Sequence, residues 1–324
     1  MSTNGSRCIY CNGPLGEPIF RDVRDRLRVS PRTWTFRRCR VCGSAVLDPM
    51  PSLEELITAY PEHYSFDQAP QTRGLHRVLH WLETSLFYHR IYQHSVRQVL
   101  QVTGLRQGQL LDVGGGSGHR TRFFQKVGFK CTVLDVDERP LQIARERFGL
   151  RTICGVLEQA DLPPESFDIV TFYAVIEHLP DPRSTLQAAH RILRPGGWLV
   201  ALVPVLTGWE DRWFRFLGMH QIQEVPRHVG LPTVKGMTTI LSECGFGLQA
   251  CLHNHILDDA GIMALSLFPQ SASAIACSST PLSRGLYRTA GGALTLLLLP
   301  IAWTMRRFGY SINFLFFAMK NRNF

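Results

Sequence analysis

Four cysteines near the amino terminus, Cys8, Cys11, Cys39 and Cys42, form two C-x-x-C pairs. Each short turn points both of its sulfurs the same way, so two such pairs can present four thiolates tetrahedrally to one zinc ion. The spacing predicts a structural zinc ribbon over residues 1–50, with Ile19-Phe20 and Thr33-Trp34-Thr35-Phe36 as strands of a small hairpin between the knuckles. Redox pairs and unligated thiols are the alternatives. The other cysteines, at 131, 154, 244, 251 and 277, have no ligand spacing and read as small core hydrophobes.

The second chemical stretch is the run from Leu110 to Arg120, which holds Asp112, Gly114, Gly116 and Gly118 at alternate positions. An apolar strand enters a glycine-dense turn and a helix leaves it, so backbone can approach a ligand closely. A dinucleotide site needs G-x-G-x-x-G to set a helix amino terminus against a pyrophosphate. Counted from Gly114, that pattern fails at His119. The alternate-glycine spacing instead suits a ligand with an amino acid end and an adenosine but no pyrophosphate. Asp112 would orient the loop or receive an ammonium, and loop amides would meet a carboxylate. Asp135 lies 21 positions after Gly114 (135 − 114), where a carboxylate can accept both ribose hydroxyls. Its alternative role is to cap the helix starting near Arg139.

These residues need a frame. Strand-like segments fall at 110–113, 130–135, 152–156, 167–174 and 198–203, with helices at about 120–126, 139–148 and 182–193 between them. Apolar strands alternating with amphipathic helices predict an α/β, doubly wound, mostly parallel sheet covered on both faces. A helix over 233–244 and strands over 246–256 and 311–320 bring the tally to seven strands. The expected organisation is a zinc ribbon over 1–50, a linker and helical leader over 51–105, and a catalytic domain over 106–324. An apolar insertion occupies about 257–310.

The order of motifs from Leu110 to Pro204 resembles the class I S-adenosylmethionine-dependent methyltransferases. The matching pieces are the glycine loop, Asp135-Val136-Asp137-Glu138, Glu165-Ser166-Phe167-Asp168, Glu177-His178-Leu179-Pro180 and Leu193-Arg194-Pro195-Gly196-Gly197. The resemblance implies a Rossmann-like seven-stranded sheet in the order 3-2-1-4-5-7-6, strand seven antiparallel, with S-adenosylmethionine as methyl donor. It also implies a subgroup with a zinc-binding leader, which Cys8 to Tyr64 is similar to, including Pro51 and Tyr60-Pro61-Glu62-His63-Tyr64. Cofactor-binding residues are then Asp112, Gly114, Gly116, Gly118, Asp135 and Ala174, with Val136 and Leu157 as walls for adenine. Many relatives carry an acid just after strand three, where this chain has Val156.

The sulfonium carries its own activated methyl, so the protein must orient the acceptor, exclude water and take up a proton. His178, after strand four on the carboxyl edge of the sheet, and His228 are the candidate bases. The expected acceptor is a small or lipid-like molecule with a hydroxyl, roofed by the aromatic stretch 209–216 and the insertion. One alternative is an RNA methyltransferase gripping phosphates through the arginine-rich ribbon. Against nucleic acid, no Asn/Asp-Pro-Pro-aromatic tetrapeptide follows strand four, and no cysteine follows strand four or five. A non-catalytic binding protein on the same fold is the other alternative.

The net charge of +9 comes mostly from arginine, much of it before Arg40, and reads first as a solvated basic surface. No apolar run at the amino terminus could act as a secretory signal, so the expected location is cytoplasmic. The apolar run 290–303 is shorter than the ~20 residues of a spanning helix and is broken by Pro300. It is expected to be a core helix or lid, or a peripheral membrane contact through 290–307 with Arg306 and Arg307 at headgroups.

Overall fold

The computed structural model of the protein describes residues 7–60, 87–207, 224–267 and 281–321. The leader opens with β1 (Leu15–Arg24) and β2 (Thr33–Cys39), an antiparallel hairpin that sets Phe20 opposite Phe36 and Val23 opposite Trp34. β3 (Ala45–Leu47) extends it, and α1 (Leu53–Thr58) follows. A reciprocal capping box starts α1: the Ser52 hydroxyl accepts from Glu55 N (3.1 Å) and Ser52 N donates to the Glu55 carboxylate (2.8 Å).

α2 (His89–Thr103) ends on Gly104, whose φ of 72° only glycine adopts at no cost. The alternating region then runs β4 (Gly108–Val113), α3 (Thr121–Lys126), β5 (Phe129–Asp135), α4 (Glu138–Phe148) and β6 (Arg151–Cys154). It continues with β7 (Phe167–Tyr173), α5 (Pro182–Ile192) and β8 (Leu193–Pro204). Further along come β9 (Gly230–Leu231), α6 (Val234–Glu243), β10 (Phe246–His253), α7 (Ile256–Leu267), α8 (Pro281–Arg307) and β11 (Asn313–Lys320).

The large sheet has the order β6-β5-β4-β7-β8-β11-β10. β11 is antiparallel to both neighbours and the other pairs are parallel. This is the expected 3-2-1-4-5-7-6 arrangement. Leu110, Leu111, Ile169, Val170, Leu199 and Val200 are all fully buried, as strands covered by helices on both faces require. Two boundaries differ most from expectation. β8 starts at Leu193 because Arg194-Pro195-Gly196-Gly197 is absorbed as a bulge, the register jumping from Phe167↔Leu193 to Ile169↔Trp198. β10 stops at His253, and the chain enters α7 where a longer strand was expected.

The leader does not close on itself. Its sheet has the order β1-β2-β3-β9, so the fourth strand comes from residues 230–231, with Ala45 opposite Leu231 and Val46 opposite Gly230. Gly230 is required there, because a Cβ would lie 2.6 Å from the Tyr10 hydroxyl and 2.8 Å from Ile9 Cδ1. Cys8, Cys39 and Cys42 are buried in the same cluster as Leu111, Phe172 and Phe316 of the large sheet. The boundary expected at residue 50 is thus crossed by both a sheet and a core.

The insertion lies between β10 and β11, close to the expected limits. Its inner face, with Leu298, Ala302 and Met305 of α8 and Ala260 and Met263 of α7, packs on Phe20, Trp34 and Phe36 of the leader. No helix among the described residues is long and apolar enough to cross a membrane. The stretch 209–216, the flexible-looking 68–74, residues 61–64 and Cys277 lie outside the described residues.

Candidate active site

The glycine loop leaves β4 at the carboxyl edge of the sheet with Gly114, Gly116 and Gly118 at φ of 66°, 53° and 73°. The three glycines have different reasons. A Cβ on Gly114 would meet Val175 Cγ2 at 2.5 Å, and one on Gly118 would meet Leu150 Cδ1 at 2.4 Å. A Cβ on Gly116 would meet nothing within 4 Å, so its surface is open to a ligand. His119, which breaks the dinucleotide spacing, is held locally: its Nδ1 lies 2.8 Å from the Ser117 hydroxyl and its ring packs edge-on against Phe148.

Asp112 is only 2% exposed, and its two oxygens accept from Thr121 Oγ1 (2.5 Å) and Thr171 Oγ1 (2.7 Å). It ties β4 to β7 and to the first residue of α3. Of its two expected roles, orienting the loop or receiving an ammonium, these hydrogen bonds serve the first. Burial pushes its carboxyl above the usual range, against those two hydrogen bonds.

Asp135 closes the loop from the neighbouring strand. Its Oδ2 accepts from Gly116 N (2.9 Å) and its Oδ1 from Asp137 N (3.0 Å). The cap of α4 is Asp137, which accepts from Arg139 N (2.9 Å), so Asp135 is not spent on capping. Burial raises the Asp135 carboxyl. Val136 beside it is 70% exposed. Leu157, expected as the other adenine wall, is 1% exposed and turned into the core, so it offers no apolar surface to a ring. Val156, at 37% exposure, is the side chain that presents such a surface there. Ala174, exposed at the end of β7, holds a left-handed φ of 57°.

Across the loop, the turn after β7 brings Glu177 and His178 against the 224–231 segment. Glu177, His178 and His228 place one ligand atom each within 4.8 Å of one another. The His178 and His228 rings meet edge-on at 4.6 Å between centroids. His178 Nδ1 lies 3.0 Å from the Arg227 carbonyl and 3.1 Å from the Tyr60 hydroxyl. A carbonyl can only accept, so Nδ1 carries the proton and Nε2 keeps its lone pair. Burial, with His228 second, holds this imidazole well below its usual range, so it is neutral at neutral pH.

Glu177 is 1% exposed, its Oε2 has no hydrogen-bond partner among the described residues, and burial pushes its carboxyl up to about 8. A carboxyl raised in the folded state stabilises that state fully below the ordinary carboxylate range, and the contribution is lost as pH rises through about 8. Glu177→Gln should therefore flatten the decline of the unfolding midpoint between about pH 5 and about pH 8. Parallel native and variant curves in pH-dependent thermal melts would show that Glu177 is not the source.

Sequence reasoning missed what supports this cluster. Arg227 is fully buried; it donates to Asp25 Oδ1 (2.6 Å), Glu224 Oε2 (2.9 Å) and the Ala59 carbonyl (2.8 Å). Arg26 pairs with Glu224 from the other side. Two arginines and two carboxylates thus bind the leader to the residues flanking His228. The one signal was the placement of Arg227 between Pro226 and His228.

The four leader cysteines meet as expected. Cys8 and Cys42 sulfurs lie 3.6 Å apart, and Cys11 and Cys39 sulfurs 3.4 Å apart. Zinc at about 2.3 Å from each sulfur of a tetrahedron would set the edges at about 3.8 Å, so the group fits with a small expansion. Cys42 is drawn down to about 4, chiefly by its hydrogen bond with Cys8, while the same bond and burial push Cys8 up.

The sequence matches the family described as methyltransferase domain over residues 86–250. It is 33% identical over 116 residues to a ubiquinone biosynthesis O-methyltransferase of Pseudomonas aeruginosa, covering 34% of this chain and 50% of that one. It is 32% identical over 127 residues to the protein of the same name from Hydrogenovibrio crunogenus, covering 37% and 53%. The chain therefore spans about half the length of the curated relatives it matches. A crystal structure of an S-adenosylmethionine dependent methyltransferase from Mesorhizobium loti is similar with a TM-score of 0.44 at 18% identity, over 69% of this chain and 96% of that one.

Proposed function

The chain belongs to the methyltransferase-domain family, and from that premise we propose that it moves the methyl of S-adenosylmethionine to a hydroxyl oxygen of a small or lipid-like acceptor. One observation carries this reading. The cofactor-side pair, Gly116 with Asp135, and the neutral His178 stand on the same sheet edge, joined through the Gly114–Val175 packing.

S-adenosylmethionine supplies an activated methyl on its sulfonium when bound. Asp135, which already holds Gly116 N, would accept its ribose hydroxyls, the open backbone at Gly116 would meet its amino acid end, and exposed Val136 and Val156 would flank its adenine. His178 takes the acceptor's hydroxyl proton on Nε2, while Arg227 and Tyr60 fix the other ring nitrogen. His228 packs edge-on against that ring and shields it. Cys8, Cys11, Cys39 and Cys42 would hold a structural zinc ion that fixes the leader, and with it Asp25 and Tyr60, against the site.

The names of the curated relatives favour oxygen as the acceptor atom. Three of the leader's nine arginines, Arg26, Arg32 and Arg37, are engaged with Glu224, Glu55 and Asp48 rather than left for phosphates. Incubated with labelled cofactor and a cell extract, the protein should label a small-molecule or lipid fraction. Label confined to RNA would overturn the reading. His178→Ala should lower turnover with that acceptor by about 100-fold, with cofactor affinity unchanged. The native rate should also hold steady from pH 7 to well below the usual imidazole range, because His178 stays neutral there.

A further inference from the structure

On the β5 side of the glycine loop stands Asp135, bound to Gly116 N. The β7 side carries the opposite charge. Arg120, just past Gly118, sets its guanidinium carbon over the Tyr173 ring, 3.9 Å from the centroid, and over the Tyr92 ring at 4.8 Å. Tyr173 is the last residue of β7, whose Phe172 pairs with Val113 at the start of the loop, and Tyr92 comes from α2. Loop, sheet and helix thus converge on one side chain. Contact with two aromatic faces holds the planar fork in place and consumes none of its N–H groups.

Those donors are unspent. Arg120 Nε is buried and has no hydrogen-bond partner, and among the described residues no carboxylate pairs with the guanidinium. The Tyr173 hydroxyl against it is likewise buried and unpartnered. Burial pushes that phenol above its usual range, so it keeps its proton as a donor. Leaving a buried charged donor unmatched is costly, so such a donor marks a place where an acceptor belongs.

The neighbouring groups are committed elsewhere. Asp112 feels the Arg120 charge, but it gives one oxygen to Thr121 and the other to Thr171. Arg122 donates to His89 Nε2 at 2.6 Å and lies over the Phe123 and Phe148 rings. Strand β4, which carries the loop, lies between β5 and β7. A ligand with its ribose at Asp135 that crosses the open backbone at Gly116 therefore brings its far end to the β7 side.

We propose that Arg120 binds the carboxylate at the amino acid end of S-adenosylmethionine, with Tyr92 and Tyr173 as the rings that position it; the assignment rests on the cofactor reading above. A planar guanidinium offers paired N–H groups that match both oxygens of a carboxylate. The site would thereby separate this cofactor from adenosine compounds that lack one.

The test is isothermal calorimetry of the full chain with S-adenosylmethionine and with its decarboxylated analogue, which keeps the adenosine, the sulfonium and the amine. The native protein should bind the complete cofactor about ten- to a hundredfold more tightly. Arg120→Met, which keeps an apolar stem against the two rings, should lose that factor for S-adenosylmethionine and bind the analogue as the native protein does. Arg120→Lys, a point charge without the fork, should fall between. Unchanged binding of the analogue also shows that a variant keeps its folded loop. Native affinity of Arg120→Met for S-adenosylmethionine would overturn the assignment and leave the cofactor reading standing. So would an equal loss for both ligands, the mark of a purely structural role. A native protein that binds neither ligand would overturn the cofactor reading itself, and this assignment with it.

Discussion

Replacing Asp135 by alanine is expected to weaken S-adenosylmethionine binding by about two orders of magnitude or more, read by isothermal calorimetry. A hydrogen bond to a charged acceptor contributes about 1.5–3 kcal/mol, and each 1.4 kcal/mol is about tenfold in affinity. Two ribose hydroxyls therefore account for about two to four decades. The substitution also frees Gly116 N, which Asp135 holds at 2.9 Å, so the loop loses its anchor to β5 as well. Asp135→Asn keeps a carbonyl acceptor and should fall between the two. Because burial raises this carboxyl, native affinity should begin to decline with acid at a higher pH than an ordinary carboxylate would give. An alanine variant with native affinity would remove Asp135 from the site.

Cys39→Ser should strip the metal and, with it, the folded leader. Zinc bound to four-ligand sites of this type contributes about 10–16 kcal/mol in small domains, more than the leader's three short strands supply by themselves. Cys8, Cys39 and Cys42 sit in the core that also holds Leu111 and Phe172, so the damage reaches the large sheet. Elemental analysis should fall from about one zinc per chain to near zero. Turnover should be lost because Tyr60 and the Asp25–Arg227 pair no longer support His178. A native protein without zinc, or a variant that keeps it, would contradict the assignment.

The large sheet was legible because each of its strands is an apolar run between helix signals. The run from Leu110 to Val113 and the alternation after it fix both strand type and parallel sense. The cysteine group was legible because local turn chemistry places its sulfurs. β9 was not, since two residues, one of them glycine, carry no periodicity and pair with a strand nearly 200 positions away. The Asp25–Arg227 pair was hidden for the same reason: its partners are 202 positions apart, and composition shows arginine as surface charge.

The proposed cofactor residues were read from spacing, and burial changes two of them. Asp112 and Leu157 stand at the expected positions but are turned inward, while Val156 stays partly exposed. The base was narrowed by sequence to His178 and His228. His178 was preferred for its place after strand four; the tertiary contacts add the Arg227 carbonyl, which fixes its tautomer. The segment that became α8 was expected to be a core helix, a lid or an interfacial contact. Its inner face lies in the core and its outer face is exposed.

The most direct test of the central claim is the position of the transferred methyl. With carbon-13 methyl-labelled S-adenosylmethionine and the acceptor fraction identified by labelling, the nuclear magnetic resonance shift of the product methyl reports the atom that received it. The proposed chemistry predicts a methoxy carbon, formed by the native protein and not by Asp135→Ala. A methyl on nitrogen, carbon or sulfur would contradict it.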